Sequence, residues 1–225
     1  MVEDTAHLLE VWVTGWAGGR GYETRKEGRF PAALRADTTG QWEYFAHDPS
    51  DSEFADLAGK TAEVPARILT VFTNDAARYL YLAQQHGLNV TSASQTMMIV
   101  DMETQDSEDP WLADENLHLV TSKTDGVYRA VVQAGDELAA SGQLVVVDRA
   151  AIFDKIVTEP GYQRRGLGSF IMKALAALAF EHDVETGLLL ASQDGQKLYS
   201  HLGWNTVCHV LMLSASDEGS DLSVV

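Results

Sequence analysis

The chain has 225 residues, 45% of them hydrophobic and 22% charged, with a formal net charge of −17. That balance belongs to a folded globular chain rather than a disordered one, and so large an acidic surplus excludes nucleic acid as a natural partner, because it repels phosphate backbones and attracts amines. The sequence has no run near the roughly 18 apolar residues of a membrane span, no basic-then-apolar leader in Met1-Val-Glu-Asp-Thr, one cysteine (Cys208) and no Cys or His spacing of zinc type, so the expectation is a cytoplasmic protein with no membrane partner, internal disulfide or metal.

From the N-terminus, Leu8, Leu9, Val11, Trp12 and Trp16 recur at helical spacing and predict a helix over 7–16, ended by Gly18, Gly19 and Gly21. A polar, mobile stretch is expected next, up to an alternating strand at 41–47. Residues 68–73 read as a buried strand, 75–86 as a helix stopped at Gly87, and 95–102 as another strand. The acidic segment with Asp106, Glu108, Asp109 and Pro110 reads as a linker. The domain expectation is therefore an N-terminal half at 1–105, a linker at 106–114, a second domain at 115–214 and a frayed tail at 215–225.

In the second half, 126–134 and 143–147 run apolar or alternate around Gly135-Asp136 and Ser141-Gly142, which predicts antiparallel strands feeding a strand over 150–158. Leu167, Phe170, Ile171, Ala174, Leu175 and Leu178 give the following helix one apolar face as far as about Glu181. A buried strand at 186–192, a turn and helix start at Gln193-Asp-Gly195, a short helix at 198–203 ended by Gly203 and a strand at 210–213 complete the chain. The order around Ile68–Asp75, Leu80-Tyr81, Gly87 and Met97–Val100 is repeated around Leu188–Asp194, Leu198-Tyr199, Gly203 and Val210–Leu213. The spacing from tyrosine to glycine differs by two residues, so duplication and generic α/β alternation both stay open.

The junction at 154–168 carries the most chemistry. A β-branched strand, Asp154-Lys-Ile-Val-Thr-Glu-Pro160, runs into Gly161-Tyr-Gln-Arg-Arg-Gly-Leu-Gly168 and then directly into a helix. A glycine-bearing turn at a helix N-terminus offers unpaired N–H donors and the positive end of the helix dipole, which suits a diphosphate. Arg164 and Arg165 add cations to it in a strongly acidic chain. A Walker loop is excluded, since no lysine followed by Ser or Thr comes after the glycines, and a dinucleotide fingerprint is excluded by the absence of a third glycine between Ser169 and Phe180.

Gln163-Arg164-Arg165-Gly166-Leu167-Gly168 satisfies a third pattern: Gln or Arg, two residues, Gly, one residue, Gly or Ala. With the preceding Pro160-x-Tyr162, the segment resembles the coenzyme A loop of the GCN5-related N-acetyltransferases, the GNAT family. Leu198-Tyr199, three residues, then Gly203-Trp204 resembles that family's second signature, in its order and separation. The resemblance covers roughly residues 115–214, and the N-terminal half, which has no counterpart of 163–168, would be a degenerate copy if the repeat is real. It implies an α+β fold, a central mixed and mostly antiparallel sheet flanked by helices. It also implies acetyl-CoA as cosubstrate and transfer of the acetyl group to a primary amine of a small molecule or protein.

By the same resemblance, Ile156, Val157 and Thr158 present backbone groups to the pantetheine arm and acetyl oxygen, and Gln163, Arg164, Arg165, Gly166, Leu167, Gly168 and Ser169 hold the diphosphate. Tyr199 protonates the departing thiolate; a phenol's ordinary pKa of about 10 lies above that of a thiol, so it keeps its proton until needed. Gln193-Asp194 stand where the family often has an asparagine. Glu159, Asp154, His118, His201 and His209 are all candidate bases, and a water chain is an alternative to each. A non-catalytic acyl-CoA sensor is the competing reading, and a homodimer is left open.

Overall fold

The computed structural model describes residues 4–106, 110–112 and 114–215. Contacts divide the chain into two compact units: one holds the described residues 4–13, 22–96 and 208–215, the other Thr14–Gly21 and Met97–Val207. Both are built on mixed, mostly antiparallel sheet flanked by helices.

In the first unit, helix α1 (Thr5–Gly18), which runs on into the second, buries Leu8, Leu9, Trp12 and Val13. The stretch expected to be polar and mobile instead forms a hairpin of β1 (Thr24–Glu27) and β2 (Phe30–Leu34). Glu27 pairs with Phe30, leaving a two-residue loop whose first member, Gly28, has φ 59°. A hairpin loop of that kind matches the right-handed twist of its strands, and Phe30 buries on the inner face while the charged residues of β1 face water. Strands β3 (Trp42–His47) and β4 (Ile68–Thr73) follow in parallel, joined through α2 (Asp51–Ala62), and the spatial order is β1-β2-β3-β4-β11, where β11 is Asn205–Ala215.

Helix α2 is missing from the sequence expectations, although its signal is present. Ser50 Oγ accepts the backbone N–H of Glu53, and the Glu53 carboxylate accepts the backbone N–H of Ser50 at 2.8 Å, a capping box that satisfies two end donors at once. Helix α3 (Ala76–Gln85) falls within the expected 75–86, with Asp75 as its N-cap, and ends ahead of Gly87 with φ 65°. Tyr79 sits inside that unit's core and donates to the Pro49 carbonyl at 2.7 Å.

The second unit has the order β5-β10-β9-β8-β7-β6. Strand β5 (Leu88–Asp101) starts earlier than expected, and only its end lies here. Strands β6 (Leu117–Thr124), β7 (Val127–Ala134), β8 (Glu137–Val147) and β9 (Ala150–Thr158) form an antiparallel meander joined by tight turns at Asp125-Gly126, Gly135-Asp136 and Asp148-Arg149. Ser141-Gly142, expected as a turn, lies inside β8; β6 has no counterpart among the sequence expectations because its exposed, polar half shows no apolar period. Helix α4 (Leu167–Ala179) packs its apolar face on β7, β8 and β9; β10 (Thr186–Ala191) and α5 (Gln193–His201) follow at the expected places. The expected tail beyond Ala215 lies outside the described residues, as do 107–109 and 113 of the expected linker.

Candidate active site

Strands β9 and β10 run parallel, but their pairing covers only Ala150–Ile152 against Thr186–Leu188. β9 then continues to Thr158, paired with β8 alone. An interior strand so released on one side presents N–H and C=O groups to whatever enters the gap. Ile156, Val157 and Thr158 occupy this released stretch, with Val157 47% exposed and the other two half-buried.

The release coincides with a bulge. Ser141 pairs with Val157 and Gln143 with Asp154, so Lys155 and Ile156 together oppose Gly142. Lys155 has φ 53°, a left-handed conformation that costs a lysine on the order of 1 kcal/mol and is held by the pairing on either side. Gly142 makes the bulge possible, because a Cβ there would stand 2.6 Å from Ile156 Cδ1 and 2.7 Å from Ile171 Cγ2. Just before the bulge, the Asp154 carboxylate accepts Arg20 Nη2 at 2.6 Å and Gln143 Nε2 at 3.2 Å.

Beyond Thr158 the chain makes a 3-10 turn over Pro160–Tyr162. Tyr162 anchors it, its hydroxyl donating to Glu137 at 2.9 Å, while Gln163 Nε2 donates to the Thr158 carbonyl at 3.3 Å and so folds the loop back on the strand end. Arg164 takes φ 59° and Gly166, the N-cap of α4, takes φ 81° with no side chain capping the helix. No acidic residue occupies the first turn. The first-turn N–H groups of Leu167, Gly168 and Ser169 therefore point out of an uncapped helix end. Leu167 is buried in the core and acts as the anchor of the turn, whereas Gly168 and Ser169 are half-buried and Arg164, Arg165 and Gly166 are exposed. The two arginines differ: the Arg165 guanidinium lies over the Tyr162 ring, 5.2 Å from its centroid, and its charge helps hold the Asp114 carboxyl below its ordinary value, behind the hydrogen bonds from Asn116.

Gly168 marks the convergence of three elements. A Cβ there would meet Leu198 Cδ2 of α5 at 3.0 Å and Thr158 Oγ1 of β9 at 3.8 Å. The next residue of α5, Tyr199, is buried at 7% exposure, its ring 6.1 Å from that of Trp204, which in turn packs edge-on to Phe153 at 5.3 Å. The Tyr199 hydroxyl has no protein hydrogen bond among the described residues, and burial, then the charge of Asp154, pushes its pKa up to about 12. Gly195, four residues earlier, leaves room for the ring: a Cβ there would come within 2.9 Å of Tyr199 Cε2.

Of the candidate bases, Asp154 alone acts on Tyr199 through its charge. Glu159 is half-buried at the loop entry, His118 lies on β6, His201 ends α5, and His209 lies in the first unit. Sequence reasoning did not single out Gly142, Lys155 or Gly195, whose roles depend on neighbours distant in the chain. Among the described residues no group of three or more His, Cys, Asp or Glu side chains is placed to hold a metal, and no helix is long and apolar enough to cross a membrane.

Residues 95–204 match the model of the acetyltransferase (GNAT) family. This part of the chain is a GNAT domain. Solved structures agree in fold over more than the domain: a GCN5-related N-acetyltransferase from Kribbella flavida superposes with a TM-score of 0.67 at 12% identity, covering 99% of this chain and 100% of that one. A tandem GNAT protein from the clavulanic acid biosynthesis pathway gives 0.60 at 12% identity, covering 98% and 97%. A GCN5-related N-acetyltransferase from Sphaerobacter thermophilus gives 0.56 at 11%, covering 82% and 75%. No curated protein matches the chain in sequence. The family model begins at residue 95, so the GNAT assignment is one of the C-terminal half, and at the level of family and fold it supports acyl transfer in general terms.

Proposed function

We propose that the GNAT domain transfers an acetyl group from acetyl-CoA to a primary amine by direct attack. The observation that carries this reading is the meeting of the released edge of β9, the uncapped start of α4 and the buried Tyr199 hydroxyl around Gly168. In this reading the diphosphate lies on the N–H groups of the first turn of α4, neutralised by Arg164, while Arg165 and Gln163 hold the loop in shape. The pantetheine arm runs along Ile156, Val157 and Thr158 and completes the hydrogen bonding that β10 does not supply.

The nitrogen of the neutral amine bonds to the acetyl carbon, the carbon–sulfur bond breaks, the nitrogen loses a proton to solvent, and the thiolate takes one from Tyr199, which regains it from solvent. With its pKa pushed up to about 12, Tyr199 stays protonated at neutral pH. The same elevation weakens it as an acid, so its contribution depends on proximity to the forming thiolate rather than on an intrinsic driving force. The acidic surplus of the chain favours a cationic acceptor, a small amine or a protein amine. The N-terminal half, without a loop of its own, is read as a degenerate copy of the same unit, and the protein as cytoplasmic.

Isothermal titration with acetyl-CoA, beside NAD and ATP, tests the reading. Micromolar, coenzyme-selective binding that Gly168→Glu abolishes is expected. Because the Cβ at 168 meets only the flexible end of Leu198 and Thr158, that variant is expected to keep its fold, as read by circular dichroism. Wild-type protein that does not bind, or unchanged affinity in the variant, refutes the loop assignment.

A further inference from the structure

A groove of about 370 Å³ opens beside the first turn of α4, and Asp106, Trp111, Gly166, Ser169 and Lys173 all line it. Trp111 is 82% exposed, whereas its neighbour Leu112 packs against the core of the unit. The backbone is thus tied down while the largest apolar side chain available is left facing the groove and water. An isolated exposed apolar residue asks for no explanation, but this one lines a groove that shares Gly166 and Ser169 with the proposed diphosphate cradle. Whatever is bonded to a diphosphate held there comes within reach of the indole.

Lys173 supplies the second element. Its ammonium pairs with Asp106 at 2.7 Å, and both side chains are 44% exposed. An ion pair so open to water is weak, so a phosphate can compete with the carboxylate for the lysine. In a chain with 16 basic and 33 acidic side chains, a lysine on the groove wall is one of few cations available for a second anionic group.

We propose that this groove holds the adenosine end of the coenzyme, with the purine stacked on Trp111 and the 3′-phosphate on Lys173. The inference rests on the acetyl-CoA reading above and adds to it a preference among acyl donors. A free nucleotide-bearing thioester gains the stacking and the second phosphate contact, whereas an acyl-phosphopantetheine arm carried on a protein gains neither.

The test is titration of the full chain and of Trp111→Ala, Trp111→Phe and Lys173→Met with CoA and dephospho-CoA directly, and with 4′-phosphopantetheine by displacement. Stacking of a base on an aromatic ring predicts a loss of about tenfold or more in CoA affinity for Trp111→Ala, with Phe restoring most of it. Phosphopantetheine affinity is expected to stay constant across the Trp111 variants, and Lys173→Met to abolish the preference for CoA over dephospho-CoA. Wild-type protein that binds CoA with an affinity indifferent to both positions overturns the groove and leaves the acetyltransferase reading standing. Equal losses for CoA and phosphopantetheine in Trp111→Ala also overturn it, since they mark a general distortion. Wild-type protein that binds no CoA removes both.

Discussion

Tyr199→Phe separates chemistry from packing, because the substitution removes one oxygen and keeps the ring that packs on Trp204. Among the described residues the hydroxyl has no protein hydrogen bond to lose, so at pH 8 the variant is expected to unfold within about 0.5 kcal/mol of wild type. Turnover is another matter: loss of a positioned proton donor predicts a fall in kcat of about a hundredfold, with acetyl-CoA affinity unchanged. Alkaline stability supplies an independent readout. The phenol is raised from its ordinary 10.0 to about 12 in the folded protein, so its contribution to stability is complete below pH 10 and is lost between pH 10 and 12. At pH 11 wild type should have lost about 1.4 kcal/mol that the phenylalanine variant keeps. Urea midpoints of both proteins at pH 8 and 11, beside thiol release from acetyl-CoA with a polyamine or a lysine peptide as acceptor, measure all three quantities. Unchanged turnover would refute the proton-donor role; a stability difference that does not move between pH 8 and 11 would refute the burial argument behind the raised pKa.

Gly142→Ala places a methyl group against Ile156, Ile171 and Leu175 at 2.6, 2.7 and 3.0 Å, and overpacking of that kind is expected to cost about 1–3 kcal/mol in urea unfolding and, through Ile156, to weaken acetyl-CoA binding. Unaltered stability would mean that the three side-chain ends yield without effect on the bulge. Cys208 is fully buried, and burial first, then the charge of Asp48, pushes its thiol up to about 12. A disulfide reagent at pH 8 is therefore expected to label native protein far more slowly than urea-unfolded protein; equal rates would show that the β11 interior is open to solvent.

The sequence is informative where a local period or a short motif decides the structure. β4, β9, β10 and α5 fall close to their expected places because β-branched runs and a glycine-stopped amphipathic turn are local signals. The loop was legible for the same reason: Gly166 stands where the backbone needs φ 81° and where no side chain may cap the helix. Helix α2 was legible in principle through Ser50 and Glu53, but its apolar face, Phe54, Leu57, Ala58 and Thr61, is too narrow to dominate a polar window. The β1–β2 hairpin hides in charged residues because β1 is exposed except at Glu27, which is half-buried. Ser141-Gly142 reads as a turn from composition, yet Gly142 is glycine for a tertiary reason: it faces two isoleucines and a leucine that lie 14 to 33 residues further along the chain.

That last point bears on how the site comes to exist. Nothing in residues 150–158 says that the strand loses its partner halfway; all nine residues have strand character, and the first four are buried. The opening arises because β10 stays registered for three residues only while β9 bulges against Gly142, a relation between three strands that together span Glu137 to Ala191. An interior strand with one unpaired edge is costly in an unliganded protein, since each backbone group must find water in place of a β-partner. The two recognisable motifs both lie at this opening: the loop closes the end of β9 and α5 brings Tyr199 beside it, each meeting the other at Gly168 through Thr158 and Leu198. Motif residues without the released edge would make an anion site alone, and the released edge without them would be an aggregation-prone strand. On the proposed reading, their coincidence in one unit is what would turn an anion-binding turn into a place where a thioester is held extended with its carbonyl against a strand.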